Sequence, residues 1–367
     1  NYTIQISYVG YSLISESINL NTNLKNNYSL ANDENKLEEV VVTGESKYVN
    51  QEIGKINLSI STIKKMPVVL GEVDVIKSML LLPGVTSAGE GASGFNVRGG
   101  GADQNLILMD EATIYNSSHV FGFFSIFNPD AVKDIKLYKG GIPAKYGGRA
   151  SSVLDIYQKD GNSNDLHVNG GIGLISSKLL LEGPIVKDKG AFLVAGRTSY
   201  AHLFLKLNEE TKDDTAYFYD LNAKLNYKLG ENDNVYMSGY FGRDVFSLAD
   251  SFTNIYGNAT FNARWNHLFS NKLFSNLSFI YSDYFYGFEL DFIGFTWDSN
   301  IRNYNIKYDF KNYVSNNLKL DYGVSAIYYD FNPGVISPNS PDSGINYFEL
   351  DKKYAFEPAI YINAEQE

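Results

Sequence analysis

The chain has 367 residues and a net charge of −11, and its hydrophobic (44%) and charged (20%) fractions exclude disorder along its whole length and an extended basic surface for nucleic-acid phosphates. It has no cysteine, which excludes disulfides, cysteine-zinc sites, iron–sulfur clusters and thiol nucleophiles, and no apolar stretch reaches the roughly 18 residues of a membrane-spanning helix. The 28 Tyr, 23 Phe and 32 Gly favour β-structure, and length alone suggests roughly two or three domains.

Residues 1–31 predict two short strands, at Tyr2–Ser7 and Leu13–Leu20. The segment contains no predicted helix and few apolar positions, so it cannot bury a core by itself. We therefore expect it to be the C-terminal part of a small β-sandwich that begins before this chain.

Residues 32–47 form a polar linker around one apolar segment, Leu37-Glu38-Glu39-Val40-Val41-Val42-Thr43-Gly44. Three consecutive valines in a polar tract predict an isolated strand. It is either the edge strand of a neighbouring domain or a strand kept free to pair with the sheet edge of another protein through main-chain hydrogen bonds. The residues themselves favour neither interpretation.

Residues 48–160 predict a mixed α/β domain. Helices are expected at Ser61–Met66 and Gly71–Leu82, the second ended by Pro83-Gly84, and Asn128-Pro129 indicates the start of a further short helix. Short strands are predicted at Asn105–Met109, Asp134–Tyr138 and Ser152–Tyr157.

From residue 161 to residue 367 the sequence predicts long strands. Apolar and polar residues alternate almost without interruption over Tyr217–Leu229, and the pattern returns at Tyr256–Phe269 and Leu318–Tyr328. These runs are longer than a typical strand of a soluble protein, which has about 5–6 residues. Short polar turns alternate with longer segments, which we expect to be loops: His202–Ala216, Ser247–Ile255, Phe288–Trp297 and Phe331–Ile345. This arrangement is typical of an outer-membrane β-barrel and favours it over the alternative, a soluble β-sandwich.

Nothing in the sequence predicts catalysis, and no cofactor or metal is expected. Gly89–Gly94 fits G-x-G-x-x-G, but the strand before it and the helix after it that a dinucleotide site needs are missing. The four histidines lack the spacing of a helical zinc site, and no G-x-S-x-G elbow frames a nucleophile.

Arg98 and Arg149 each lie in a glycine-rich turn, Val97–Gly101 and Tyr146–Arg149. Each is either an ordinary surface arginine or an arginine that small neighbours bring close to a wall of the fold. In the second case the planar guanidinium could pair with carboxylates.

The ordered motifs of the first 200 residues resemble TonB-dependent outer-membrane receptors of the Bacteroidota type, which carry a carboxypeptidase-regulatory-like domain before the plug. The segments that match are Ile6–Tyr11, Leu37–Gly44, Leu82–Val85, Phe95–Gly100, Gln104–Asp110, Tyr115–Pro129, Leu137–Gly141, Tyr146–Asp155, Glu182–Pro184 and Gly196–Tyr200. One departure is Glu111, because the family usually has Gly after the Asp of this hairpin. The plug motifs differ from those of the SusC branch, so a dedicated SusD-type lipoprotein partner is not implied.

The resemblance implies an α+β plug domain inside an antiparallel transmembrane β-barrel, preceded by part of a small β-sandwich. The family barrel has 22 strands, whereas about nine are predicted here, an odd number where single-chain bacterial barrels are even. We therefore expect the chain to be a segment of a protein roughly twice as large. The expected location is the outer membrane of a Gram-negative bacterium, with the N-terminal region in the periplasm.

The resemblance also implies TonB-dependent active uptake of a scarce extracellular ligand, with plug displacement driven by TonB and the proton-motive force. Partners would be TonB, indirectly ExbB and ExbD, outer-membrane lipid and the ligand; other outer-membrane proteins or lipoproteins are further candidates. The TonB-binding residues would be Leu37, Glu38, Glu39, Val40, Val41, Val42, Thr43 and Gly44. The expected interface between plug and barrel holds Arg98 and Arg149. Apical ligand contacts are expected within Thr86–Gly94 and Tyr115–Phe124, above all at Ser117, Ser118, His119, Phe121 and Phe123.

A second function is compatible with the same motifs: a plug-barrel that is a non-transporting structural subunit of a larger outer-membrane complex. The TonB-box-like strand favours transport. Its deletion would discriminate, since a transporter would lose uptake and a structural subunit would not.

Overall fold

The computed structural model describes residues 2–6, 14–19, 25–29, 54–65, 73–89, 94–249, 251–315 and 317–366. The chain divides into two compact units, Asn1–Asn50 and Gln51–Glu367. In the first unit, strands β1 (Tyr2–Ile6) and β2 (Ile14–Ile18) pair antiparallel, which confirms the two predicted strands. The β-sandwich and the domain boundaries at residues 31, 47 and 160 stay predictions, and the segment 37–44 lies outside the described residues.

The second unit begins with an α+β domain, residues 54–160, which we call the plug. Its elements are β3 (Lys55–Ser59), α1 (Ile60–Ile63), α2 (Val75–Met79), β4 (Val85–Ser87), β5 (Phe95–Val97), β6 (Asn105–Met109), β7 (Ala112–Thr113), β8 (Ser118–His119), β9 (Phe124–Ser125), β10 (Val132–Tyr138) and β11 (Ser152–Gln158), with 3-10 turns at Ala102–Gln104 and Val120–Gly122. Five of these strands form one sheet in the order β3-β10-β11-β6-β7.

Strand β11 is the centre of the plug, and all seven of its residues are buried. It pairs parallel with β6 and antiparallel with β10. The apolar side chains on one side of this sheet form the main core with the two short helices, and those on the other side form a separate, smaller cluster of Leu108, Tyr138 and Val153. The fully buried members of the main core include Ile63, Val75, Met79, Phe95, Phe127, Ile135, Leu137, Leu154 and Ile156.

Both plug helices begin at residues that cap them. The side chains of Ser59 and Asp74 accept hydrogen bonds from backbone N–H groups of α1 and α2, which compensates donors that the first helical turn leaves free. Helix α2 is shorter than the predicted Gly71–Leu82 among the described residues. The second carboxylate oxygen of Asp74 also accepts from the Ser125 N–H at 2.7 Å, so it fixes α2 to β9.

The predicted helix at Asn128-Pro129 is wrong, because the chain makes a single turn there. The Asn128 side chain accepts a hydrogen bond from the Asp130 N–H, and its carbonyl accepts from Ala131 and Val132. The side chain therefore closes a local turn, which competes with helix formation. Strand β10 begins immediately afterwards.

The rest of the second unit is a large antiparallel sheet. Its elements are β12 (His167–Ile172), β13 (Ser176–Val186), β14 (Gly190–Ser199), α3 (His202–Leu205), β15 (Thr215–Lys228), β16 (Asp233–Leu248), β17 (Phe252–Ser270), β18 (Leu273–Leu290), a 3-10 turn (Asp291–Ile293), β19 (Phe295–Tyr313), β20 (Leu318–Pro338), β21 (Phe348–Glu349) and β22 (Lys353–Gln366). Neighbours in sequence pair from β12 to β20, and both β21 and β22 pair with β20. None of the helices in the described ranges has the length and apolarity needed to cross a membrane.

Within the described residues the large sheet has eleven strands, where the sequence predicts about nine. Short turns connect β13 to β14, β15 to β16 and β17 to β18, as predicted, but Ser247–Ile255 and Phe288–Trp297 are mostly strand rather than loop, and β20 continues through the first half of Phe331–Ile345. The ladder from β16 to β17 continues to the pair Leu248 and Phe252, so that β17 and β19 reach 19 residues each. Alternating aromatic residues extend the pairing beyond the point where polar residues suggested a loop.

Burial in the large sheet is the reverse of that in a soluble protein. In β15 the polar set is buried, with Asp220 3% and Asn222 1% exposed, whereas Leu221 and Leu225 are 47% and 44% exposed. The polar side chains lie on the face toward the plug, which we call the inner face. The apolar set covers the outer face, as in strands whose outer side contacts lipid.

Leu154 in β11 provides a test of the plug core. Replacing this fully buried side chain by Ala removes packed methyl groups, so we expect Leu154→Ala to cost about 2–5 kcal/mol of plug stability and to lower the temperature at which the plug unfolds. Leu81→Ala is the matched control, because Leu81 is 67% exposed. Equal thermal shifts for the two variants in detergent would contradict this core.

Candidate functional site

The plug contacts the inner face of the large sheet mainly through polar groups. Strands β14 to β17 and β19 each contribute polar side chains that hydrogen-bond the plug, among them Arg197, Lys224, Asp244, Asn258 and Asn303. Any movement of the plug would have to break these bonds. The interface is therefore the candidate functional site.

His119 lies at the centre of this interface and is 1% exposed. Its Nδ1 is 2.7 Å from Asp244 Oδ2, and its Nε2 is 3.2 Å from Asp220 Oδ2. The imidazole also stacks on Phe218, with ring centroids 4.1 Å apart. A plug side chain is thus held between two carboxylates and one aromatic ring of the large sheet.

The two carboxylates determine the charge of His119. Carboxylates only accept hydrogen bonds when ionised, so both imidazole nitrogens can donate only if the ring is protonated. Burial alone would lower the pKa of His119, but the carboxylates of Asp244 and Asp220 outweigh it and hold the pKa above its ordinary value. The two carboxylates therefore favour the protonated, cationic form of His119.

Arg197 of β14 supplies the second cation of this cluster. Its Nε and Nη2 donate to Asp220 Oδ2 at 2.9 and 2.7 Å, and Nη2 also donates to the Ser125 carbonyl of the plug at 2.7 Å. Because Arg197 is buried, water screens this interaction little. The guanidinium ties β9 of the plug to two strands of the large sheet.

The chain next to His119 adopts an unusual backbone conformation. Val120 and Phe121 both have positive φ, 47° and 50°. Left-handed backbone costs on the order of 1–3 kcal/mol for such residues, most for a β-branched one. The large sheet compensates this strain, since the Val120 N–H donates to Asp244 Oδ1 at 2.8 Å and the Phe121 N–H donates to the Tyr256 hydroxyl at 2.9 Å.

A second buried charge group lies further along β15, around Lys224. Its Nζ donates to the Gln158 carbonyl at 2.8 Å and is 3.0 Å from Asp160 Oδ1 and 3.5 Å from Asp110 Oδ1. Lys224 thereby connects the hairpin after β6 to the end of β11.

The plug hairpin between β6 and β7 shows how Glu111 fits where the family usually has Gly. Asp110 and Glu111 have φ of 44° and 70°, the left-handed pair of a two-residue type I′ turn. Glu111 Oε1 accepts from Arg264 Nη1 at 3.2 Å. Burial alone would raise the pKa of Glu111, but Lys307 and Arg264 outweigh it and hold that pKa below its ordinary value. Contacts with the large sheet therefore support the left-handed Glu111.

Amide side chains complete the interface between these charge groups. Asn258 Oδ1 accepts from the N–H groups of Tyr115 and Asn116 at 3.3 and 3.4 Å, and its Nδ2 donates to the Asn116 carbonyl at 2.8 Å. Asn303 Nδ2 donates to the Tyr115 hydroxyl at 2.9 Å. Asn258 thus holds the backbone of the segment that leads to His119, and Asn303 holds the side chain of Tyr115.

The five predicted ligand residues fall into two groups. Ser117, Ser118 and His119 are buried, so they do not present side chains to a ligand in this structure, and His119 bonds the large sheet instead. Phe121 and Phe123 are 38% and 56% exposed. The ring of Phe121 packs edge-on against Phe246 of β16, with centroids 5.2 Å apart. Only the two phenylalanines remain accessible for the predicted ligand contact.

Arg98 and Arg149 are both exposed, and their predicted interface role stays a prediction. The Arg98 side chain lies beside the plug residues Gly84 and Gly140, and its φ is 50°. Arg149 Nη1 donates to the Gly148 carbonyl at 2.8 Å, and the carboxylate of Glu357 in β22 approaches Gly148. The region around Arg149 therefore includes a carboxylate of the large sheet, whereas the contacts of Arg98 are within the plug.

Sequence reasoning missed the residues of the large sheet that bind His119. Asp220, Asp244 and Arg197 carried a usable signal, because each is a charged residue inside a long alternating strand. A charge on the inner face of a barrel strand needs a partner when it is buried. Which plug residue pairs with it depends on the three-dimensional register.

Among the described residues, no group of three or more His, Asp or Glu side chains is placed to hold a metal ion.

Lys224 provides a test of the interface. In Lys224→Met the carboxylates of Asp110 and Asp160 lose a buried cation, and we expect the plug to lose about 3–5 kcal/mol of its attachment. Faster protease cleavage of the plug in the detergent-solubilised protein would report the loss. Lys228→Met, at the end of the same strand, should leave the cleavage rate unchanged. Identical rates for both variants would contradict the assigned role of Lys224.

Comparisons with known proteins agree with this architecture. Residues 59–153 match the family model of the TonB-dependent Receptor Plug Domain. The siderophore receptor PirA of Pseudomonas aeruginosa is similar over 86% of this chain and 53% of its own, with 19% identity and a TM-score of 0.60. A mutant of the ferric enterobactin receptor PfeA from Pseudomonas aeruginosa is similar over 86% of this chain and 55% of its own, with 14% identity and a TM-score of 0.62. The copper transporter OprC is similar over 84% of this chain and 51% of its own, with 11% identity and a TM-score of 0.61.

The chain spans about half the length of these solved structures. A comparison with curated protein sequences found no match. The fold class predicted from the sequence is confirmed, because the plug family model matches and these solved structures share the fold. The chain thus combines a TonB-dependent receptor plug domain, matched over residues 59–153, with part of the outer-membrane β-barrel that surrounds such a plug.

Proposed function

We propose that the protein takes up a scarce ligand across the outer membrane and that TonB, energised through ExbB and ExbD by the proton-motive force, displaces the plug. The observation that carries this proposal is the polar attachment of the plug to the inner face. Hydrogen bonds and ion pairs contribute little net free energy each when water can replace the partner, so such an interface can be opened and reformed. Exposing the apolar plug core to water would, by contrast, be unfavourable, so the plug can detach without unfolding.

The ligand is proposed to bind above residues 119–123. Phe121 and Phe123 are the exposed members of this segment. The ring of Phe121 contacts Phe246, which contacts Phe252 in turn, so the three rings form a continuous aromatic surface. Aromatic rings bind ligands with apolar or planar parts. The similar solved proteins are named as receptors of siderophores and as a copper transporter, which makes metal-bearing ligands the first class to examine.

The segment Leu37–Gly44 is proposed to pair with TonB as an added β-strand. We expect deletion of residues 37–44 from the full-length protein to abolish its capture by the purified periplasmic domain of TonB, while the protein still inserts into the outer membrane. A scrambled segment of the same composition is the matched control for linker length. Undiminished capture after the deletion would contradict TonB-driven transport and favour the non-transporting structural subunit.

Plug displacement can be tested with a disulfide, because the chain has no cysteine of its own. Asn116→Cys with Asn258→Cys would link two residues that are hydrogen-bonded across the interface. In iron- or copper-limited medium where growth depends on the gene, we expect the oxidised pair to abolish growth and a reductant to restore it. The control pair Asn234→Cys with Asn266→Cys, at positions that face each other within the large sheet, should leave growth intact when oxidised. Growth with the plug linked would refute displacement.

A further inference from the structure

Residues 119–121 combine three features that occur together only here among the described plug residues. The side chain of His119 lies between two carboxylates of the large sheet. The two residues that follow have left-handed backbone, and their N–H groups donate to Asp244 and Tyr256. We call these three residues the clip. Asp244 is shared by the side chain and the backbone of the clip, so loss of one contact weakens the other.

The charges around the clip balance only when His119 is protonated. Two carboxylates, Asp220 and Asp244, face the ring from β15 and β16, and one guanidinium, Arg197, faces Asp220 from β14. The other polar groups near the ring are neutral hydroxyls: Tyr240 Oη is 3.5 Å from His119 Nε2, and Tyr256 Oη binds the Phe121 N–H. A neutral His119 would leave one buried negative charge uncompensated, which is costly in a low-dielectric site.

We propose that the clip fastens the plug to the large sheet and that loss of the His119 proton opens it. Without its proton, the ring can donate to only one of the two carboxylates. The remaining repulsion falls on Asp244, which also holds the left-handed Val120. The strained backbone can then relax, and Phe121 moves with it because the two are adjacent.

The direction of the pH dependence follows from the raised pKa of His119 in the docked plug. The released histidine has an ordinary pKa of about 6.5. Stabilisation of the docked plug is therefore complete below about pH 6.5 and is lost as the pH rises toward the pKa of the docked state. Acid fastens the clip, and alkali loosens it.

The inference deepens the proposed function, because a fastened plug blocks the passage that uptake requires. Its test needs neither ligand nor TonB, so a negative result would leave the uptake proposal standing. Phe121, the accessible end of the clip, lies next to the proposed ligand surface. A ligand that shifts Phe121 would act on the same contacts as deprotonation.

The experiment is hydrogen–deuterium exchange of the full-length protein in detergent between about pH 5 and about pH 9, corrected for the intrinsic exchange rate. Peptides that cover residues 114–126 should show an opening constant that rises up to about tenfold per pH unit between the released and docked pKa values. Peptides from β11 should show no such rise, because their bonds lie within the plug sheet.

Four variants separate a proton-controlled clip from a merely structural one. His119→Gln should give higher opening with a flat pH profile, and His119→Lys, which keeps a cation, should give a flat profile even if the Gln variant fails to fold. Asp244→Asn keeps an oxygen for the Val120 N–H but removes one charge that raises the docked pKa of His119, so the rise should begin at the same pH and end at a lower one. His202→Gln, in α3, should leave the profile unchanged.

A flat wild-type profile would overturn the proposal. So would a rise that persists in both His119 variants, or one that ends at the same pH in Asp244→Asn as in the wild type. If the clip held the plug only through its shape, the His119 variants would lose protection from hydrogen exchange by the same factor at every pH.

Discussion

Buried polar groups need partners, and the rest of this structure depends on how that requirement is met. The long strands place their apolar residues outward and their Asp, Asn, Lys and Arg residues inward, where water is largely excluded. The plug supplies the missing partners: His119 for two carboxylates, Ser125 for Arg197, and Gln158 for Lys224. The fold of the plug is thus matched to the inner face largely by hydrogen bonding, beside smaller apolar contacts such as Ala131 with Leu193.

This division separates two kinds of stability. The plug core buries aliphatic and aromatic side chains such as Phe127 and Leu154, which only unfolding would expose. The interface consists of bonds that water can replace, although a buried charge that loses its partner destabilises what remains. The plug can therefore keep its own fold while its attachment changes. Charge pairs at His119 and Lys224 set how firmly it is held.

The sequence was sufficient for the architecture because the relevant patterns are local. Alternation over Tyr217–Leu229 identified a long strand and its two faces, and both are confirmed. The sequence patterns failed where local and tertiary preferences differ. Asn128 makes a turn instead of capping a helix. The aromatic residues near Phe252 extend strands through segments that were expected to be loops. His119 was predicted as an exposed ligand contact because its partners, Asp220 and Asp244, are more than a hundred residues away in sequence. No local pattern contains that pairing.

The proposed uptake requires the plug to leave the polar inner face when TonB acts. Because this chain has no cysteine of its own, Asn258→Cys adds a single thiol to it, at a position that is 3% exposed and bonded to the plug backbone. Its labelling by a membrane-impermeant maleimide, measured in intact cells, tests this requirement most directly. We expect rapid labelling only when TonB and the proton gradient are both present. Equal labelling in cells without TonB, or after collapse of the gradient, would contradict the proposed uptake.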